Sequence, residues 1–207
     1  CKVTLKQDFK ESSQNIQNNY NRPTNMILPI YTFGQQVLRK ETVPVTPDYP
    51  GLKELIENMF ETMFRSEGVG LAAPQIGRDI KMAVISLDSL KDEFPEYENF
   101  NRVYINPEIV EYDESKMESM EEGCLSLPGI HEPVKRPTRI HVKYMDENFT
   151  EHDEWVDGFL ARVMQHEFDH LDGTLFIDRL ATLRKQMIRS KLTALAKGKV
   201  KCNYKIK

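Results

Sequence analysis

His166 and His170 stand four residues apart in Gln165-His166-Glu167-Phe168-Asp169-His170, inside a run from Gly158 to Leu171 that reads as a helix. A four-residue step puts both imidazoles on one helical face, where they reach a single metal ion. Glu167 follows the first histidine, close enough to touch a metal-bound water without ligating the metal itself. A Lewis acid, a water and a base are the elements of metal-assisted hydrolysis. The competing reading is a polar helix end with two unrelated histidines, in a chain that has five.

The third ligand decides which kind of hydrolase this is. Zinc proteases with H-E-x-x-H usually take it from further along the chain. Here the run continues Leu171-Asp172-Gly173-Thr174-Leu175-Phe176, and Phe176 stands where the extended protease motif needs its third histidine. Phenylalanine binds no metal. Upstream lies Glu121-Glu122-Gly123-Cys124-Leu125-Ser126-Leu127-Pro128-Gly129, which holds the one cysteine away from the chain ends. A thiolate is a strong ligand for a divalent transition metal, and one Cys with two His leaves a coordination position for water. That is a catalytic donor set; alone, Cys124 would read as a small buried residue.

A third segment, Gly68-Val69-Gly70-Leu71-Ala72-Ala73-Pro74-Gln75-Ile76-Gly77, follows an amphipathic helix. Its glycines permit close backbone approach or positive φ. Taken in order, G-V-G-L-A-A-P-Q, E-G-C-L-S and Q-H-E-F-D-H resemble the three signature motifs of the peptide deformylases. The resemblance runs from about Met26 to the C-terminus. It implies that Cys124, His166 and His170 hold the metal and that Glu167 is general base and then general acid. It also implies an oxyanion site made by the Gln75 side-chain amide and the Leu125 backbone N–H. The reaction implied is removal of the formyl group from N-terminal formylmethionine, with release of formate.

The implied cofactor is one divalent ion, Fe(II) natively, with Zn(II) or Ni(II) often found after purification. Cys and His donors suit all three, so the ligands fix the site and not the ion. Substrate residues are expected around this centre: Gly68, Val69 and Gly70 from the glycine loop, Leu125 beside the cysteine, and Val163 one turn before His166. The apolar ones among them are candidates for a narrow methionine slot. Peptide backbone is expected to pair with an extended Leu127–His131 on one side and Gly68–Gly70 on the other, as an added strand.

Elsewhere the pattern is mixed. Residues 1–25 are polar, rich in Asn, Gln and Ser, and read as an arm; residues 26–207 read as one catalytic domain. A start at Cys1 is that of a processed lipoprotein, but no signal peptide is present to test this, and an upstream start is the expectation. A first helix is predicted over 50–66, with Leu52, Leu55, Ile56, Met59, Phe60, Met63 and Phe64 as one buried stripe. Strands are predicted at 82–87, 103–105 and 140–145, where alternation points His141 outward. Residues 88–101 read as an inserted loop. Met117 and Met120, in the acidic stretch 111–122, are candidates for a strand core. A last helix spans about 180–197 and stops at Gly198, and 200–206 alternate as a short terminal strand. Because strands and helices do not alternate as βαβ units, the class is α+β. The family resemblance adds antiparallel sheets around the central motif helix. Glu122 and Arg136 are either a supporting ion pair or two solvated charges.

The three cysteines are odd in number and widely spaced, which argues against a disulfide framework and fits a reducing compartment. No apolar run approaches a membrane span. The net charge is −4, yet 181–207 contains nine Lys and Arg with no Asp or Glu. That segment is either a solvated helix face or a phosphate-binding surface. The expected partners are N-formylmethionyl peptides and, through this basic segment, ribosomal RNA without base-specific recognition. The expected location is the cytoplasm of a bacterium or an organelle. Two rivals remain: a metallopeptidase of H-E-x-x-H type, and an inactive ribosome-binding member of the fold.

Overall fold

The computed structural model describes residues 2–3 and 26–207. The predicted arm, 1–25, lies outside the described residues apart from Lys2–Val3. The class is α+β, as expected: the described residues form three α-helices and an antiparallel sheet whose strands run in the order β2-β3-β4-β5-β6. These are β2 (Gly70–Ala72), β3 (Met82–Ser86), β4 (Asn101–Gly123), β5 (His131–Met145) and β6 (Glu151–Asp157). A two-residue strand, β1 (Lys2–Val3), pairs with the far end of β4.

Strand β4 is far longer than the predicted 103–105. Its first residues pair with β3, and the rest runs alongside β5 as far as Gly123. Register shifts between Ile105 and Glu108, Ile109 and Glu111, and Asp113 and Met117 interrupt this pairing. Each extra residue bends and twists the ribbon. The bends carry the end of β4 round to the motif helix. Met117 is exposed and Met120 half-buried, so the acidic stretch is a ribbon edge rather than the core expected for Met117.

Helix α1 (Leu52–Arg65) buries Met59 and Met63 completely. Each contributes roughly 1.5–3 kcal/mol of hydrophobic burial. Phe64, predicted in the same stripe, is instead half exposed and stacks on Phe60 at the margin of that face. Helix α2 (Gly158–Leu171) coincides with the predicted motif helix. Every residue from Ala161 to Leu171 is buried, which is the condition of a helix packed on all sides. Helix α3 (Thr182–Ala196) buries Ile188 and Leu195, with Leu192 packed beside them and Arg184 paired to Glu132. The predicted terminal strand shrinks to a single parallel bridge between Ile30 and Ile206. Residues 88–100 are irregular, with short 3-10 turns at Asp88–Leu90 and Pro95–Tyr97, and Asn101 already belongs to β4.

Leu127–His131 is not extended. Its Pro128-Gly129 step forms a turn, with Gly129 at φ 75°. That is the left-handed region where glycine carries no steric penalty. Peptide pairing along this stretch is therefore ruled out, and only His131 belongs to a strand.

Helix α2 sits between apolar clusters. One contains Ile85, Tyr104, Ile140, Val142, Val163 and Phe168; another contains Met59, Met63, Leu71, Val84 and Leu125. A third, with Leu127, Ile130, Leu175, Phe176 and Leu180, includes Cys124. No helix among the described residues is long and apolar enough to cross a membrane.

Candidate metal centre

Cys124 leaves the end of β4, while His166 and His170 lie one turn apart on α2. Their donor atoms all fall within 4.8 Å of one another, and all three residues are buried. Cys124 Sγ is 3.2 Å from His170 Nε2. Donors held about 2.0–2.3 Å from a tetrahedral ion are themselves separated by roughly 3–4 Å, so this spacing suits one ion. His166 Nε2 is buried and has no hydrogen-bond partner among the described residues. A buried nitrogen without a partner costs stability unless something binds it. Donor chemistry and the orphaned nitrogen together fit a divalent transition metal. Phe176, at the place where the protease motif has its third histidine, stacks on the His166 ring instead.

The other nitrogen of His166 is held by the protein. Nδ1 lies 2.8 Å from Glu122 Oε2, and Glu122 is completely buried. The same carboxylate accepts bonds from Arg136 Nε (2.6 Å) and Nη2 (2.9 Å) and from Arg162 Nη1 (2.9 Å). Burial opposes the Glu122 charge, but the bonds from Arg136 and His166 outweigh it and hold the carboxyl far below its ordinary range. An ionised carboxylate accepts, so Nδ1 carries a proton and Nε2 is the nitrogen left for a metal.

Arg136 reaches on to Asp169 at 2.8 Å, and Asp169 is also gripped by Arg179. Arg162 adds bonds to the Val134 and Glu118 carbonyls, tying α2 to both strands of the ribbon. The Glu122–Arg136 ion pair was one of two readings from sequence. Its extension to His166, Arg162, Asp169 and Arg179 was missed. The available signal was Arg162, a charge among the apolar residues of the first turns of α2, one turn before His166.

Glu167 is completely buried on α2, between His166 and His170 in sequence. A Cβ placed on Gly70 would lie 2.7 Å from Glu167 Cδ, and one on Gly68 would lie 2.9 Å from Leu125 Cδ1. At Gly70 the clash involves the Glu167 carboxyl and its Cγ, so glycine there serves close approach of the loop to Glu167 rather than positive φ; at Gly68 it involves only the end of the flexible Leu125 side chain.

Gln75 is also completely buried. Its Oε1 accepts the Ala72 N–H at 2.9 Å, which turns Nε2 toward Ser126 Oγ (3.2 Å) and Cys124 Sγ (3.5 Å). The amide nitrogen is thus fixed beside Cys124. Leu125 follows the cysteine in a turn whose Leu125 carbonyl accepts the Tyr204 hydroxyl at 2.8 Å. Tyr204 was not anticipated as a support for this turn.

Of the expected apolar lining, Val69 and Val163 meet in one cluster. The Leu125 side chain belongs to the other, below Gly68. His141 pairs with Asp153 on the outer face, as its strand position predicted, and takes no part. Among the described residues Cys124 and Cys202 are both unbridged.

Residues 27–186 match the family described as polypeptide deformylase. The chain is 48% identical over 183 residues to the peptide deformylase of Salinibacter ruber, spanning 86% of this chain and 93% of that one. The Flavobacterium johnsoniae peptide deformylase is 44% identical over 189 residues, 88% of this chain and 96% of its own. The crystal structure of peptide deformylase from Thermus thermophilus superposes with a TM-score of 0.73 at 40% identity. It covers 84% of this chain and 99% of that one.

Proposed function

The chain belongs to the polypeptide deformylase family, and from that premise we propose that it hydrolyses the formyl group from N-formylmethionine at the start of nascent polypeptides, releasing formate. The observation that carries this reading is the buried Cys124–His166–His170 cluster with Glu167 beside it under Gly70. A divalent ion bound there supplies Lewis acidity and brings the ionisation of water toward neutral pH. Fe(II) is the native ion in this proposal, and Zn(II) and Ni(II) are accepted by the same donors.

The protein's own groups do the remaining work. Glu167 takes the proton from the attacking water and returns it to the departing amine. The Gln75 amide, oriented by Ala72 and Ser126, donates to the oxygen that gains charge, together with the Leu125 N–H. Gly68 and Gly70 let the loop backbone come close to substrate, and Val69 and Val163 form the apolar wall for the methionine side chain. Residues 26–207 form the catalytic domain, with 1–25 as an arm.

The substrate places the enzyme where translation occurs, in the cytoplasm or its organellar counterpart. The C-terminal segment supports contact with ribosomal RNA: Arg189, Lys191, Lys197, Lys199, Lys201, Lys205 and Lys207 are all exposed. Such contact is electrostatic and weakens steeply with salt; co-sedimentation with ribosomes that does not change between low and high salt would argue against it.

Formate release from formyl-Met-Ala-Ser, with no cleavage of internal peptide bonds, tests the activity. Cleavage of unformylated peptides would favour the metallopeptidase instead.

A further inference from the structure

Strand β4 ends at Gly123, and the next residue is Cys124 of the metal centre. At this end one edge of β4 is taken by β5, with Glu122 opposite Glu132 and Gly123 opposite His131. The other edge is taken by the chain's own Lys2–Val3, antiparallel, with Lys2 opposite Gly123 and Val3 opposite Glu122. Neighbouring strands lie about 4.8 Å apart, so this segment runs immediately beside the metal centre.

Its polarity carries the argument. From Val3 to Lys2 the segment passes from Glu122 to Gly123, so its N-terminal direction leads toward Cys124. A peptide presenting an N-terminal amide to the same centre has to approach with that polarity. Main-chain pairing is indifferent to side chains, so one edge serves either occupant.

We infer that Lys2–Val3 is a tethered strand that occupies the peptide-docking edge of β4 and competes with substrate for it. The competition for substrate rests on the deformylase reading; the occupancy of the edge does not. A tethered competitor acts at an effective concentration that can reach millimolar. Substrate then binds only the fraction of molecules whose edge is free, which raises the apparent KM in inverse proportion to that fraction and leaves kcat unchanged.

The test is the full chain carrying Lys2→Pro and Val3→Pro together, metal-loaded, beside wild type. Proline removes the N–H groups that pairing needs. The expected result is a several-fold lower KM for formyl-Met-Ala-Ser at unchanged kcat. A second readout needs no turnover: amide exchange at Lys2 and Val3 in wild type is slowed by pairing and accelerates when Met-Ala-Ser saturates the site. An active enzyme with equal KM in both proteins, and exchange at these residues unmoved by peptide, overturns the inference. Failure of both proteins to release formate would count against the deformylase reading, and the exchange experiment would still decide the occupancy.

Discussion

Glu122 and His166 lie 44 residues apart in sequence, yet the buried Glu122 carboxylate holds His166 Nδ1 at 2.8 Å. The bond turns the opposite nitrogen, Nε2, toward Cys124 and His170. The same carboxylate faces Arg136 and Arg162, so the orientation of His166 depends on a charge network reaching from the ribbon to Arg179.

Replacing Glu122 should therefore damage the metal site before the fold. Loss of a partner behind a ligating histidine typically costs about 10–100-fold in metal affinity. Glu122→Gln keeps the shape and should show that loss in competition with a chelator. Glu122→Ala also removes the carboxylate shared by two buried guanidinium groups, leaving Arg136 with Asp169 and Arg162 with the Val134 and Glu118 carbonyls, and should destabilise the protein by up to about 3–5 kcal/mol in urea denaturation. Unchanged metal affinity in Glu122→Gln would mean that the bond does not orient His166.

Acid should act through the same carboxylate. Burial raises the pKa of Glu122, but Arg136 and His166 lower it more, and the net folded value is depressed from 4.5. A depressed carboxylate contributes stability that is present above the unfolded pKa and is lost as pH falls through the folded one. Wild type should lose stability progressively below about pH 4.5, and Glu122→Gln should lose less over the same range. Parallel pH profiles for the two proteins would contradict this.

Gly70→Ala should separate metal binding from turnover. The added methyl falls 2.7 Å from Glu167 Cδ, so the carboxylate or the loop has to move. A displacement on the order of 1 Å at a catalytic group can cost about 10²-fold. The expected variant keeps its metal and loses roughly two orders of magnitude in kcat. Near-wild-type turnover would show that the close approach is not needed.

Gln75→Ala removes an amide fixed beside Cys124. If it donates to the developing oxyanion, kcat should fall about 10²–10³-fold with metal content intact. A change confined to KM would assign Gln75 to substrate binding instead.

Local signals carried much of this in the sequence. The four-residue step of His166 and His170 sets a helix that coincides with α2, and the stripe through Met59 and Met63 sets α1. What failed was non-local or two-sided. The ribbon half of β4 is solvent-exposed along most of its length, so it lacks the alternation that marks a half-buried strand. Strand β6 is polar at Glu151, Asp153, Glu154 and Asp157 for the same reason. Pro128-Gly129 did signal a turn, and reading that stretch as extended passed over it. The bond from Glu122 to His166 arises only when β4 curls back onto α2, and no local pattern in either segment encodes it.

The most direct test of the account is formate release from formyl-Met-Ala-Ser by anaerobically prepared, Fe(II)-loaded protein beside Glu167→Ala with equal metal content. The account predicts release by wild type and loss of most turnover in the variant. Equal rates in the two proteins, or no release by a fully metallated wild type, would contradict it.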